Sequence, residues 1–277
     1  MKSFKHLIFI SFLFGLSMIA LGFYSILIIN PTLPDVDSLK IYRPKEPLQI
    51  YTKEGNLISE FGEERRDFIK IENVPQKMIN AILSTEDRRF FEHHGIDYVG
   101  IGRAAIANFL VSSFQGARTI TMQVARNFFL SSDRTIKRKI NEILLSLKIE
   151  KKLSKEEILE LYINQIYLGQ RSYGFESAAE TYFGKKLDKL NLSEIALLAG
   201  LPKAPSKYNP FVNFDLAISR QKDVLAGMLR HGFIDKSGYI LALEQKIALR
   251  ENQKKTDVDA EYIAEMVRKE LYDEFGE

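Results

Sequence analysis

Cysteine is absent from the 277 residues, which excludes a disulfide framework and any thiolate metal site. Histidine is scarce, and His6, His93, His94 and His231 do not have the spacing of a zinc site. A large excess of one charge is also missing. Against 39 basic residues stand 36 acidic ones, for a net charge of +3, so there is no general basic field of the kind that non-specific nucleic-acid binding requires, and none is expected. Any anion site must be local. What is present is a 45% hydrophobic composition, enough for one good core with room for a second small lobe.

With no cysteines to report on compartment, targeting has to be read from the amino terminus. Lys2, Lys5 and His6 precede an uncharged run from Leu7 to Ile29, and 23 residues at a helical rise of about 1.5 Å cross a hydrocarbon layer of roughly 30 Å. Basic residues before the run and Asp35 and Asp37 after it predict a cytoplasmic amino terminus and an outward-facing remainder. Ala20 and Gly22 imitate the cleavage site of a removed leader, but the apolar run continues past them to Pro31, which favours an uncleaved anchor. Residues 31–47 hold Pro31, Pro34, Pro44 and Pro47; they oppose helix and predict an extended stalk.

Beyond the stalk, LQIYT and LISEF flank a KEGN turn and predict a β-hairpin. From Val74 the pattern becomes helical, with Met78, Ile79, Ile82 and Leu83 on one face, and Gly95 is placed to close that helix. A second helical stretch with Ile101, Ala104, Ala105, Ala107 and Phe109 leads into VSSFQG, whose loop-like apolar character suggests a membrane-facing flap. Helical spacing returns from Arg134 to about Leu168, restarting at Ser154, where Ser154 and Glu157 have capping-box spacing, and ending at Gly169. Further helices are predicted near Phe175 to Phe183, Asn191 to Ala199 (with capping-box spacing at Asn191 and Glu194), Phe214 to Leu229 and Ile240 to Leu249. The chain is therefore mainly α, with no internal repeat.

Two acidic residues stand beside aromatic and basic neighbours on such helices: Glu86 in TEDRRFFEHHG and Glu142 in RKINE. An isolated glutamate of this kind is more often a solvated carboxylate paired with a nearby arginine. Between the two lies GARTITMQVARNFFLSSDRTIKRK, which carries Thr119, Thr121, Gln123 and Asn127 as hydroxyl and amide donors and Arg118, Arg126, Arg134, Lys137, Arg138 and Lys139 as cations. Forked guanidinium donors and ammonium point charges match a diphosphate. They match anionic lipid headgroups as well.

EDRRFFEHHG resembles the E-D-x-x-F-x-x-H-x-G motif of the family 51 glycosyltransferases, and GARTITMQVARN is similar to their G-A-S-T-I-T-Q-Q-x-A-x-N motif. RKINE, ILELYINQIYLGQRSYGFESAAETYFGK and LSEIALLAGLPKAPSKYNP resemble the remaining blocks in the same order, so the likeness covers about residues 48–230. The anchor, the stalk and the final AEYIAEMVRKELYDEFGE further resemble the front part of class A penicillin-binding proteins. The serine transpeptidase that follows in those proteins needs S-x-x-K, S-x-N and K-T-G elements. SRQK at Ser219 and KSG at Lys236 lie too close together and no S-x-N accompanies them, so covalent penicillin binding is not expected. Two positions depart from the motif: Arg118 stands where serine is common, and Met122 replaces the first glutamine.

The resemblance implies a lysozyme-like glycosyltransferase domain with a small membrane-facing lobe, preceded by one transmembrane helix and a short hairpin. The implied division is 1–30 for the cytoplasmic terminus and anchor, 31–47 for the stalk, 48–235 for the glycosyltransferase domain and 236–277 for a helical linker. It implies polymerisation of lipid II into β-1,4-linked strands with inversion and release of undecaprenyl diphosphate, outside the cytoplasmic membrane. Glu86 would take the proton from the attacking sugar hydroxyl, partly desolvated by Phe90 and Phe91 and opposed by Arg88 or Arg89. Glu142 would position a basic side chain or hold a magnesium or manganese ion that bridges the phosphates. Asp87, Phe90, His93, Gly95, Thr119, Thr121, Gln123, Arg126, Asn127, Arg134, Arg138 and Lys139 complete the implied substrate-binding set. Implied partners are the lipid II acceptor, the growing glycan chain on its lipid diphosphate, the membrane and the proteins of a cell-wall synthesis complex. The alternatives are a truncated scaffold within such a complex and a lysozyme-like glycan-cleaving enzyme.

Overall fold

The computed structural model describes residues 33–42, 48–62, 64–103, 118–131, 135–250 and 261–275, together with His6, Phe9, Leu13, Leu16 and Ser17. The expected anchor lies almost wholly outside these. Its five described positions are helical, and Phe9, Leu13 and Leu16 are exposed. Among the described residues no helix is long and apolar enough to cross a membrane. The expected flap, VSSFQG, and most of the helix before it also fall outside, although residues 98–103 are helical.

The chain divides into two compact units, residues 1–41 with 91–155 and residues 42–90 with 156–277. The second opens with the predicted hairpin, β1 (Leu48–Tyr51) and β2 (Leu57–Phe61), paired antiparallel in the register Leu48 to Phe61. A two-stranded ribbon is marginal alone. Here Ile50 and Ile58 are buried against Ala264 of the carboxy-terminal helix, with Leu48, Phe61 and Val267 around them.

β3 (Arg65–Arg66) precedes α1 (Gln76–Glu86), which buries Met78, Ala81, Ile82 and Leu83. Met78, Ile82 and Leu83 are three of the four residues expected on this face; Ile79 is only half-buried, and Ala81 is buried beside them. Residue 87 is extended, with φ −161°, so the helix stops at Glu86 and not at Gly95. The extended residue is what ends it: the Asp87 N–H still donates to Leu83 O at 3.2 Å, and nothing continues the ladder.

In the first unit, α2 (Ile120–Phe129) packs on α3 (Ile136–Glu150). The stalk expectation meets a short 3₁₀ turn at Asp37–Ile41, with Val36 and Leu39 buried. Tertiary ties account for this turn. Lys148 Nζ on α3 donates to Pro34 O at 3.0 Å, and Lys152 pairs with Asp37 at 3.1 Å.

The chain then re-enters the second unit through α4 (Lys155–Gln165), β4 (Ser172–Tyr173), α5 (Phe175–Phe183), α6 (Leu192–Gly200), α7 (Phe214–Arg230), α8 (Lys236–Glu244) and α9 (Glu261–Phe275). The capping box at Asn191 and Glu194 forms with both hydrogen bonds in place, each 2.9 Å long. Its reach extends further, because the buried Glu194 also accepts from Lys185 at 2.7 Å. Helix α8 stops at Glu244, short of the expected Leu249; the chain is extended at Gln245 and runs on to Arg250, whose N–H donates to Tyr182 O at 2.8 Å. α1 packs against α6 and α7, which themselves pack on each other.

Gly169, Gln170 and Arg171 all have positive φ, at 91°, 50° and 62°, in the tight turn between Tyr167 and Tyr173. Gly169 therefore does not cap α4, which has already ended at Gln165. Three residues after Arg171, Gly174 has φ 86° and ψ 157°, a conformation essentially restricted to glycine. A Cβ there would stand 2.9 Å from Asn164 O, on the residue whose side chain joins α4 to Ile69 through bonds of 2.9 and 2.8 Å. Gly174→Ala is expected to destabilise the protein by about 3 kcal/mol or more. Gly232→Ala, at φ 76° but with no atom within 4 Å, is expected to cost roughly 1–2 kcal/mol. Urea unfolding of both variants measures the difference, and equal losses would rule out the steric part of this account.

Candidate active site

Glu86 is the last residue of α1 and half-buried, so its carboxylate is carried by a helix packed into the second unit while retaining access to solvent. Two contacts hold α1 close to its neighbours. Thr85 Oγ1 lies 3.5 Å from Ala199 O on α6, and Gly227 on α7 leaves room for Ser84, whose Oγ would stand 2.9 Å from any Cβ at 227. After Glu86 the chain turns at once: Asp87 is buried, and its carbonyl accepts from Phe90 N–H at 3.1 Å. Phe90 is wholly buried and Phe91 is 53% exposed, so of the two rings expected to shield the base only Phe90 enters the core. Arg88 is exposed and Arg89 half-buried.

The rest of the first motif belongs to the other unit, where His93 and Gly95 are buried. Gly95, at φ 86°, is the point at which the chain lies directly on α3. A Cβ there would meet Ser146 O at 3.0 Å. Its carbonyl accepts from Thr119 Oγ1 at 2.7 Å, and the same hydroxyl caps α2 by accepting from Met122 N at 3.2 Å. Thr121 is fully buried and donates to Glu150 at 2.5 Å; Lys155 supplies Glu150 with a second partner at 2.7 Å. Both threonines, expected as substrate donors, are thus buried and engaged in joining α2 to its surroundings. Gln123 is buried, while Arg126 and Asn127 are half-buried neighbours, with a 3.4 Å contact from Arg126 Nη2 to Asn127 Oδ1. Arg134 lies outside the described residues.

The most distinctive feature is Glu142, a carboxylate with no exposed surface on α3. Its Oε1 is 3.0 Å from Lys139 Nζ and 3.5 Å from Arg118 Nε, and its Oε2 is 3.9 Å from Arg138 Nη1. A carboxylate taken out of water needs its lost hydration replaced, and these cations replace it. They also outnumber it. Lys139 and Arg118 keep 44% and 40% of their side-chain surface, so the cluster presents net positive charge to solvent. Its polar valences are incompletely used: Glu142 Oε2, Arg138 Nε and Asn141 Oδ1 are buried and have no hydrogen-bond partner among the described residues.

As a metal site this donor set fits poorly. Divalent cations take several oxygen ligands, whereas Glu142 is one carboxylate among cations. Among the described residues no group of three or more acidic or histidine side chains is placed to hold a metal ion. One member of the cluster, Arg118, is a departure from the resembled motif. Only the fold shows that it reaches Glu142 across 24 residues of chain.

A family model described as "Transglycosylase" matches residues 54–229, a span that includes both Glu86 and the Glu142 cluster. Over 265 residues the chain is 51% identical to penicillin-binding protein 1A of Neisseria gonorrhoeae, covering 95% of this chain and 33% of that protein. With penicillin-binding protein 1A of Escherichia coli K12 the identity is 48% over 250 residues, covering 90% of this chain and 29% of the relative. A crystal structure of penicillin-binding protein 1A from Haemophilus influenzae superposes with a TM-score of 0.51 at 34% identity, covering 85% of this chain and 25% of that one. The chain spans about a third of the length of the curated relatives it matches. Matched over most of its length by the family model, the chain belongs to the transglycosylase family.

Proposed function

We propose that the chain is a peptidoglycan glycosyltransferase that joins lipid II to a growing glycan strand on undecaprenyl diphosphate, forming β-1,4 linkages with inversion and releasing the lipid diphosphate. The observation that carries this reading is that the family match encloses a half-buried glutamate at the end of a core helix and, separately, a cation cluster organised by a buried glutamate. The first supplies a base and the second supplies charge for a departing anion. A sugar hydroxyl is a weak nucleophile at neutral pH, and Glu86 takes its proton as the new bond forms at the anomeric carbon. The bond to the diphosphate oxygen breaks in the same displacement, and Arg138, Lys139, Arg126 and Arg134 stabilise the charge that develops there. No covalent sugar intermediate is required.

Glu142 acts in this reading as a positioning residue that holds Lys139 and Arg138, not as a metal ligand. Magnesium or manganese belongs in the scheme only as a companion of the diphosphate oxygens. Thr119 and Thr121 hold the helix from which Gln123, Arg126 and Asn127 project, rather than binding substrate themselves. Asp87 and Phe90 fix the backbone after the base, Gly95 fixes the approach to α3, and His93 is buried between these two points of the chain.

The lysozyme-like description, the membrane anchor over residues 7–29 and the outward-facing catalytic domain belong to the same proposal, as does association with a cell-wall synthesis complex. Supporting the anchor are the apolar run itself and the exposed, helical Phe9, Leu13 and Leu16. Supporting a membrane-facing surface on the first unit are Tyr98, Val99 and Ile101, which are 70%, 61% and 41% exposed on adjoining turns of helix.

Lipid II incubated with the protein is expected to yield polymer on gels, and Glu86→Gln is expected to lower the rate by roughly 100- to 10,000-fold without changing the melting temperature appreciably. Equal absence of product from both proteins would favour a scaffold. Shortening of preformed glycan would favour a hydrolase. Glu142→Gln is expected to reduce polymerisation and also to lower stability by about 2 kcal/mol in urea, less than for a fully buried pair because Lys139 and Arg118 are 44% and 40% exposed. Unaltered polymerisation by Glu142→Gln would remove its positioning role.

A further inference from the structure

The two positions that depart from the resembled motif, Arg118 and Met122, meet at one place in the fold. Arg118 Nε lies 3.5 Å from Glu142 Oε1, the oxygen that also receives Lys139 Nζ at 3.0 Å, and Met122 Sδ lies 3.9 Å from the same Lys139 nitrogen. Met122 is 1% exposed, so it forms an apolar floor under the lysine and offers it only a weak sulfur acceptor. Arg118 instead adds a cation to a carboxylate that Lys139 already serves. A single buried carboxylate neutralises one of these charges. The remainder faces outward, because Arg118 and Lys139 retain 40% and 44% of their side-chain surface.

We propose that Arg118 is a diphosphate-binding residue of this chain, held by Glu142 beside Lys139 so that the two form one anion site. The ion pair engages the guanidinium through Nε, which leaves its terminal nitrogens, the forked pair suited to phosphate oxygens, for a second partner. Anchoring a flexible arginine at its base also reduces the rotamer entropy lost when the anion arrives. The proposal takes its ligand class from the function proposed above and extends it to a position where the motif has a small hydroxyl residue. A purely structural arginine that only neutralises Glu142 is the competing explanation, and Met122 separates the two. An amide at 122 would supply Glu142 and Lys139 with ordinary hydrogen bonds, but it would not supply a second positive charge.

The test is binding of undecaprenyl diphosphate in detergent micelles, with undecaprenyl monophosphate as a second arm and thermal melting as a check on folding. Arg118→Ser and Arg118→Gln are each expected to weaken diphosphate binding by roughly 10-fold or more, with a smaller effect on the monophosphate, while Arg118→Lys, which keeps the charge but loses the fork, falls between these variants and the parent. The double variant Arg118→Ser with Met122→Gln is expected to remain as weak as Arg118→Ser alone. Unchanged affinity in the single variants, restoration by Met122→Gln, or absence of diphosphate binding by the parent protein would each overturn the proposal. Lipid II polymerisation assayed in parallel keeps the two readings apart: binding that depends on Arg118 without polymer formation sinks the enzymatic reading and leaves the anion site standing.

Discussion

A carboxylate removed from water has to be met by positive charge, and in this protein the requirement falls on Glu142. Much of the first unit is arranged around it. Helix α3 brings Arg138 and Lys139 to it from its own preceding turn, while the segment entering α2 brings Arg118. The contact between α2 and α3 is therefore electrostatic as well as apolar. Thr121 and Lys155 converge on Glu150 two turns further along the same helix, where the second carboxylate repeats the device with a hydroxyl in place of one cation. Such arrangements add less to stability than their short distances suggest, because desolvation offsets much of the attraction. Their value lies in fixing where the cationic side chains stand.

The second unit solves a different problem, that of keeping one acidic side chain accessible at the end of a helix that buries one face in the core. Helix α1 is enclosed by α6 and α7, and the close approaches at Gly227 and Thr85 leave it little freedom to shift. An abrupt exit through the extended Asp87 ends the helix there and leaves Glu86 half-buried. Rigid support of this kind suits a general base, whose efficiency depends on its placement relative to the proton it takes.

Local signals in the sequence carried much of this architecture. The hairpin, the apolar face of α1 and the Asn191 and Glu194 capping box each depend on residues only a few positions apart; the hairpin and the capping box form as expected, and the face of α1 does so except at Ile79. What could not be read depends on distant pairings. Arg66 donates to Gln165 at 2.7 Å, Tyr42 donates to the same oxygen at 2.6 Å, and Arg66 lies 4.3 Å from the Tyr173 ring centre, a network joining residues as much as 123 positions apart. Gly95 illustrates the same limit at short range. Its glycine identity reads as a helix terminator, whereas the fold requires it because α3 leaves no space for a side chain. Of the candidate site, Glu86 and the Glu142 region stood out from their surroundings, but the threonines looked like ligand donors because sequence cannot distinguish a hydroxyl facing a cleft from one spent inside.

The hairpin bears on how this protein can be divided. Its inner face is closed by Ala264 and Val267 of α9, and Arg268 of that helix stands over the Phe61 ring at 5.7 Å, although α9 lies more than thirty residues beyond the segment that the family model recognises. Evolutionary kinship and mechanical integrity thus have different borders here. A cut at the carboxy-terminal edge of the recognised segment, with the hairpin kept, would strip a lipophilic ribbon of its cover and invite strand-to-strand self-association, a hazard arising from the cut and not from the catalytic machinery.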